Sequence, residues 1–309
     1  MKKRIAALIV LLAVCALVIS GCASEAENPS PAASGIRESP VVSYLGPQGT
    51  YTEEAARFFF GDAAAFVPKA TVSEAMEDVA AGRADYAVIP QENTLGGAVV
   101  NYVDGLIAQE KMYVVGEVIL PISQTLMGVP GATLENIRLV CSHVQGLTQS
   151  EAWRKEHLPD ASTREMDSTA AAASYVAETK DKTVAAIAAP GAAALYGLSV
   201  LAENVQITDA NKTRFYVLSS AMLEGNRSHA VFVASCEANR IDDIIVEIHQ
   251  AGLELVTIHD RPEGSYLGSY HYLLEVECEN IPADESLSAI EQLPGVRFLG
   301  SFDVMEKHP

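Results

Sequence analysis

Val41-Val42-Ser43-Tyr44-Leu45-Gly46-Pro47-Gln48-Gly49-Thr50-Tyr51 precedes a helical run from Thr52 to Phe60 in a chain of 309 residues. A short apolar run, a turn with two glycines and then an apolar stripe at helical spacing read as one strand–helix unit. The pattern repeats. Strands are expected at Tyr86 to Pro90, through Met112 to Gly128 with a break at Pro121, at Arg138 to Ser142 and at Thr183 to Ala188. Helices are expected at Val72 to Ala81, Val99 to Gln109, Thr148 to His157, Ser168 to Glu178 and Pro190 to Tyr196. Pro190 falls in a first turn, where a missing N–H does no harm. Strands separated by helices of this length predict an α/β body with largely parallel sheets.

Gly225-Asn226-Arg227 marks a break. Beyond it come strand His229 to Ser235, helix Ile241 to Gln250, strands Leu253 to His259 and Tyr270 to Cys278, helix Asp284 to Gln292 and strand Val296 to Val304. That βαββαβ order is the ferredoxin-like motif. Two helices cover one face of such a sheet, and the other face is expected to pair with a second subunit.

The N-terminus reads as a targeting segment. Lys2, Lys3 and Arg4 precede the apolar run Ile5 to Ile19, which is short for a membrane span. Ile19-Ser20-Gly21-Cys22 resembles a bacterial lipobox, which implies lipidation at Cys22 and an exported chain anchored on the periplasmic side or the cell surface. Residues 23–40 are rich in Ser, Ala, Pro and Glu, as a flexible tether is. The organisation expected is therefore signal 1–22, tether 23–40, an α/β body at 41–223 and the ferredoxin-like unit at 228–306.

Hydrophobic content of 49% and charged content of 20% describe globular domains. The formal charge of -19 argues against nucleic acid, because phosphate binding needs a basic footprint. An anionic ligand must then be held by a local basic pocket. Outside the targeting segment the cysteines are Cys141, Cys236 and Cys278, without metal-ligand spacing. Cys236 and Cys278 are the pair to consider for a disulfide; free buried thiols are the alternative.

Polar loops follow the strands, where ligands of α/β sheets commonly bind. They are Gln48-Gly49-Thr50, Gln91-Glu92-Asn93-Thr94-Leu95-Gly96-Gly97, Ser142-His143-Val144-Gln145-Gly146, Asp167-Ser168-Thr169 and the strand entrance Asn211-Lys212-Thr213-Arg214-Phe215. Taken singly, each also reads as a helix cap or a solvated strand end. Five together describe a convergent cleft. Strand alternation puts Thr213 and Phe215 on one face and Arg214 on the other. His143 reads either as an acid or as a loop histidine holding backbone, and Glu92 as an orienting residue behind its loop.

These segments, with Tyr44 to Tyr51, Glu92 to Val99 and Leu195-Tyr196-Gly197-Leu198, resemble the prephenate dehydratase family in order and spacing. Ile258-His259-Asp260-Arg261-Pro262 looks like the arginine-proline motif of that family's regulatory ACT domain. The resemblance implies a two-lobed catalytic domain similar to type II periplasmic binding proteins, followed by an ACT domain. It implies conversion of prephenate to phenylpyruvate in phenylalanine biosynthesis, driven by aromatisation, so that no redox cofactor or metal is needed. Thr213 would then serve the leaving hydroxyl. Gln48, Gly49, Thr50, Asn93, Thr94 and Phe215 would contact substrate from one lobe, and Ser142, Gln145, Ser168 and Thr169 from the other. Arg214 would either clamp a substrate carboxylate or brace the strand. Two other readings stay open, arogenate as the substrate and a non-catalytic lipoprotein that binds aromatic acids.

The regulatory segment departs from the family pattern. Ala238-Asn239-Arg240-Ile241 stands where members usually carry Gly-Ala-Leu, and His259-Asp260-Arg261-Pro262 stands for Glu-Ser-Arg-Pro. The resemblance implies phenylalanine as an allosteric effector with His259, Asp260, Arg261 and Pro262 as regulatory residues, and these departures leave its binding open, whereas pairing into a homodimer or homotetramer carries over with the fold.

Overall fold

The computed structural model describes residues 37–278 and 284–308, so Cys22 lies outside the described residues. The first lobe contains β1 (Val41–Leu45), α1 (Tyr51–Phe60), β2 (Ala65–Lys69), α2 (Val72–Ala80), β3 (Tyr86–Asn93), β4 (Gly97–Ala98), α3 (Val100–Ala108) and β5 (Tyr113–Pro121). The chain then crosses to a second lobe of β6 (Thr125–Gly128), β7 (Leu139–Ser142), α4 (Val144–Gln149), α5 (Glu151–His157), β8 (Ser162–Glu165), α6 (Thr169–Thr179), β9 (Val184–Ala188), α7 (Pro190–Tyr196) and β10 (Ser199–Ala202). It returns through β11 (Lys212–Ser219). The two crossings are bonded to each other, with Ile122 N donating to Asn211 O at 2.9 Å and Val205 N to Gln124 O at 2.9 Å.

Both sheets are mixed, which corrects the expectation of largely parallel ones. β1 runs parallel to β2 and β3, but β11 lies antiparallel between β3 and β5. In the second lobe β7 is parallel to β8 and β9, whereas β6 and β10 are antiparallel additions. A chain that leaves by β5 and comes back by β11 must traverse the first sheet in opposite directions. Besides the two-residue β4, sequence missed β2, β8 and β10, which are short edges of four or five residues without a buried position, so no alternation of buried and exposed residues marks them. The helix expected from Thr148 is two short helices, α4 already starting at Val144, with the chain turning at Ser150.

β12 (His229–Glu237), α8 (Ile241–Gln250), β13 (Glu254–Pro262), β14 (Ser269–Glu277), α9 (Asp284–Glu291) and β15 (Val296–Phe302) form a four-stranded antiparallel sheet in the order β13-β14-β12-β15, with α8 and α9 packed on one face. Its other face is not free for a second subunit. Val231, Val233, Leu273, Leu299 and Phe302 share one core with Tyr102, Leu106, Tyr216 and Leu218 of the first lobe. The last expected strand also splits at Asp303, and β16 (Val304–Glu306) joins the first lobe's sheet beside β5. A disulfide between Cys236 and Cys278 does not form, and both thiols are free. Cys236 is in register with Tyr270 on β14, and Cys278 lies eight residues further along that line, about 26 Å away at strand spacing.

Candidate functional site

A cleft of about 720 Å³ opens between the two lobes. Thr50, Lys69, Thr213 and Phe215 line it from the first lobe, and His143, Gln145, Ser168 and Thr169 from the second. Local chemistry explains why these loops end where they do. Thr50 caps α1 by accepting from Glu53 N at 3.3 Å, while a Glu53 carboxylate oxygen accepts from Gly49 N, one residue before the cap, at 2.7 Å, a variant of the capping box. Ser168 caps α6 through Ala171 N at 2.9 Å. The first turns of α1 and α6 thus meet the cleft, and helix N-termini carry partial positive charge.

Thr213 and Asn93 form the site's best-defined polar pair. They are ladder partners on β11 and β3, and Asn93 Nδ2 lies 2.9 Å from Thr213 Oγ1 and 2.8 Å from Asn211 Oδ1. The amide orientation follows from its other end, where Asn93 Oδ1 accepts from Leu95 N at 3.0 Å and Gly96 N at 2.8 Å. Thr213 Oγ1 therefore accepts from Asn93, and its own single proton is left for a group in the cleft. The two lobes approach closely beside this pair, at Gly96 and Gln145. A Cβ at Gly96 would stand 2.7 Å from Gln145 Nε2.

Arg214 points away from the cleft, so the structure gives it the bracing role rather than the clamp. Its Nε and Nη2 grip Glu117, with Nη2 at 2.8 Å from Oε2, and Nη2 also meets Glu275 Oε1. Glu275 further accepts from Tyr216 Oη and from Gln91 Nε2 at 3.1 Å. Burial and the Glu275 charge push the Glu117 carboxyl up to about 8, against the opposing pull of Arg214. Burial and the same carboxylates hold the Tyr216 phenol well above its usual range.

Other expected residues are placed as follows. Ser142 is fully buried, donates to Ile187 O at 2.7 Å and is not among the residues lining the cleft. A Cβ at Gly146 would collide with that same hydroxyl at 2.4 Å, which accounts for the glycine of this loop. Thr94 staples the entrance by donating to Lys212 O at 3.1 Å. Gln48 and Gly49 touch the second lobe, Gln48 O accepting from Tyr196 Oη at 2.7 Å and Gly49 facing Leu195 and Tyr196. His143 Nδ1 caps α4 by accepting from Gln145 N at 3.3 Å. His259 stands edge-on to Tyr102, ring centroids 6.1 Å apart, and Arg261 forms a two-pronged pair with Asp104 of α3.

Sequence reasoning missed Lys69, and it gave no individual role to Asn211 and Tyr196, although both stand in the motifs quoted above. Among the described residues lining the cleft, Lys69 supplies the full positive charge. Its ammonium rests 2.5 Å from Asp78, a buried carboxylate also held by Arg83 and Ser43. Burial alone would raise Asp78, but these hydrogen bonds win and bring it down to about 2. No motif marks Lys69; its only signal was its position at the C-terminal end of β2, an edge strand that was not foreseen.

A mixed α/β enzyme fold with a polar cleft between lobes is thus defined, and the comparisons give it a family. The sequence model of the prephenate dehydratase family matches residues 42–222. The bifunctional chorismate mutase/prephenate dehydratase of Neisseria gonorrhoeae is 35% identical over 256 residues, covering 82% of this chain and 70% of that protein. The structure of the Arthrobacter aurescens prephenate dehydratase in complex with L-Phe aligns with a TM-score of 0.76 at 32% identity, over 85% of this chain and 89% of that one. GqqA, described as a novel type of quorum quenching acylase, aligns at 0.77 and 25% identity, over 86% and 98% of the two chains. The chain belongs to the prephenate dehydratase family.

Proposed function

We propose that this chain converts prephenate to phenylpyruvate. The ring C–OH bond breaks and the hydroxyl leaves as water; the ring carboxylate departs as carbon dioxide, and its bonding pair completes the aromatic ring. The observation that carries the reading is Thr213, which lines the cleft and accepts from Asn93 Nδ2 at 2.9 Å, leaving its own proton for a group bound there. A threonine hydroxyl is too weak an acid for full transfer, so Thr213 hydrogen-bonds the leaving hydroxyl or relays a proton to it. Lys69 and the first turns of α1 and α6 receive the two substrate carboxylates. Incubating the mature chain, residues 23–309, with prephenate and no added cofactor should yield phenylpyruvate. No product from a folded preparation would sink the reading. Arogenate, assayed alongside, decides between the two dehydratase substrates.

The remaining expectations join this proposal. Residues 228–306 act as an ACT-type regulatory domain, supported by the strand order β13-β14-β12-β15 and by the likeness to a relative bound to L-Phe. Phenylalanine is the effector to assay. A homodimer or homotetramer is supported by the edge strand β13, where Val256 and Ile258 are exposed. The lipobox-like Cys22 supports anchoring to a bacterial membrane after export. The likeness to GqqA makes amide hydrolysis the second reading. Thr213 favours the first, since the group on its oxygen is a neutral amide donor and not a base that would make it a nucleophile.

A further inference from the structure

Glu275 belongs to the C-terminal sheet, yet it is buried at 1% exposure among side chains of the first lobe. Its two oxygens take Arg214 and Tyr216 of β11 and Gln91 of β3. Those two strands carry Thr213, which lines the cleft, and Asn93, which donates to it. Arg214 follows Thr213 directly, and strand alternation sends its side chain to the opposite face. The pairing of β11 with β3 shifts register between Arg214 and Phe215, so on that side the entrance lacks a regular ladder, while on the other side it pairs with β5 in register. Glu117 secures the same guanidinium from β5. The strand is therefore held at its irregular point from behind by two carboxylates, one of them contributed by the C-terminal sheet.

We infer that Glu275 is a positioning residue for the dehydratase reaction: by holding Arg214 and Tyr216 behind β11, it sets the place of Thr213 in the cleft. The inference rests on the role proposed above for Thr213. Burial alone is a poor reason for this cluster. Removing a guanidinium and two carboxyl groups from water is expensive, and apolar residues of similar volume would dock the sheets at least as firmly. What charged, directional bonds add is a fixed geometry for the strand. The same contact gives the C-terminal sheet a lever on the catalytic strand, because any shift of β14 moves an acceptor of Arg214.

The test compares Glu275→Ala, Glu275→Gln and Asp104→Asn in the full chain. Asp104→Asn breaks the exposed pair with Arg261, which joins the same two parts of the molecule without reaching β11. Glu275→Ala is expected to lower kcat by about tenfold or more while KM changes less than about threefold. Glu275→Gln retains an acceptor and should recover most of the loss. Amide hydrogen exchange at residues 212–216 should quicken by about tenfold in Glu275→Ala and stay at the parent rate in Asp104→Asn. Unchanged kcat and exchange in Glu275→Ala overturn the inference, and so does Asp104→Asn reproducing both effects. If Glu275→Ala does not fold, Tyr216→Phe replaces it, with smaller changes of the same sign expected and unchanged exchange overturning the inference. Should the parent chain make no phenylpyruvate, the activity reading fails, while exchange at 212–216 still decides whether Glu275 fixes the strand.

Discussion

In the proposed reaction, Thr213 and Lys69 divide the work of the cleft between chemistry and charge. Thr213→Ala removes the donor in the transition state, so kcat should fall by about a hundredfold or more in a prephenate assay, with Thr213→Ser retaining much of it. Lys69→Met should act differently, raising KM about tenfold with a smaller effect on kcat, because a carboxylate contact is made in ground and transition states alike. Equal losses in both constants for Lys69→Met would count against that division. Thr213 and Asn93 were legible as residue types in a motif, and the structure brings them into contact. Lys69 was not legible, since a lysine beyond an unforeseen edge strand looks like any solvated cation. Arg214 shows the limit of a motif most clearly. Alternation assigned it to the far face, but only the packing of β5 and β14 supplied the Glu117 and Glu275 partners that settle its use.

At the scale of the element, β11 is the member whose surroundings matter most. It lies between β3 and β5, with the cleft on one face and a buried cluster of Glu117, Arg214, Glu275 and Tyr216 on the other, flanked by Glu92, Tyr102 and His259. Folding raises the Glu117 carboxyl to about 8, while in the unfolded chain it titrates near about 4.3. Between these values the folded state holds a proton that the unfolded state has released. The stabilising contribution of that proton is complete below the unfolded value and is lost as pH rises through about 8. Denaturant midpoints measured from pH 5 to pH 9 should therefore decline with pH by an amount that Glu117→Gln removes. An unchanged slope in that variant would show that the cluster does not hold the proton. Helix α3 gives a second test. Arg297 donates to the carbonyls of Leu106 at 2.8 Å and Gln109 at 3.0 Å at the helix's C-terminal end. Losing these in Arg297→Ala should cost about 1–3 kcal/mol in chemical denaturation.

Across the whole molecule, the C-terminal sheet and the first lobe share one hydrophobic core. Tyr216 stacks edge-on with Tyr102 and with Phe302, each at 5.7 Å between centroids, and all three are fully buried. Truncation after residue 223 would expose that face and remove β16 from the edge of β5. The fragment 37–223 should accordingly aggregate or unfold on size-exclusion chromatography, whereas residues 37–309 should melt in a single transition. A stable, monomeric fragment with parental turnover would contradict the shared core.

Local sequence determined the alternation of apolar runs and helix stripes, the caps at Thr50 and Ser168, the βαββαβ order and the face that Thr213 presents, because these depend on periodicity and on neighbours a few residues apart. Tertiary structure alone decided the antiparallel return of β11, the edge strands, the free Cys236 and Cys278, and the burial of the second face of the C-terminal sheet. Each of these depends on groups far apart in the chain, as Glu275 and Arg214 are, and the free energy of such a contact exists only once the fold has brought its partners together.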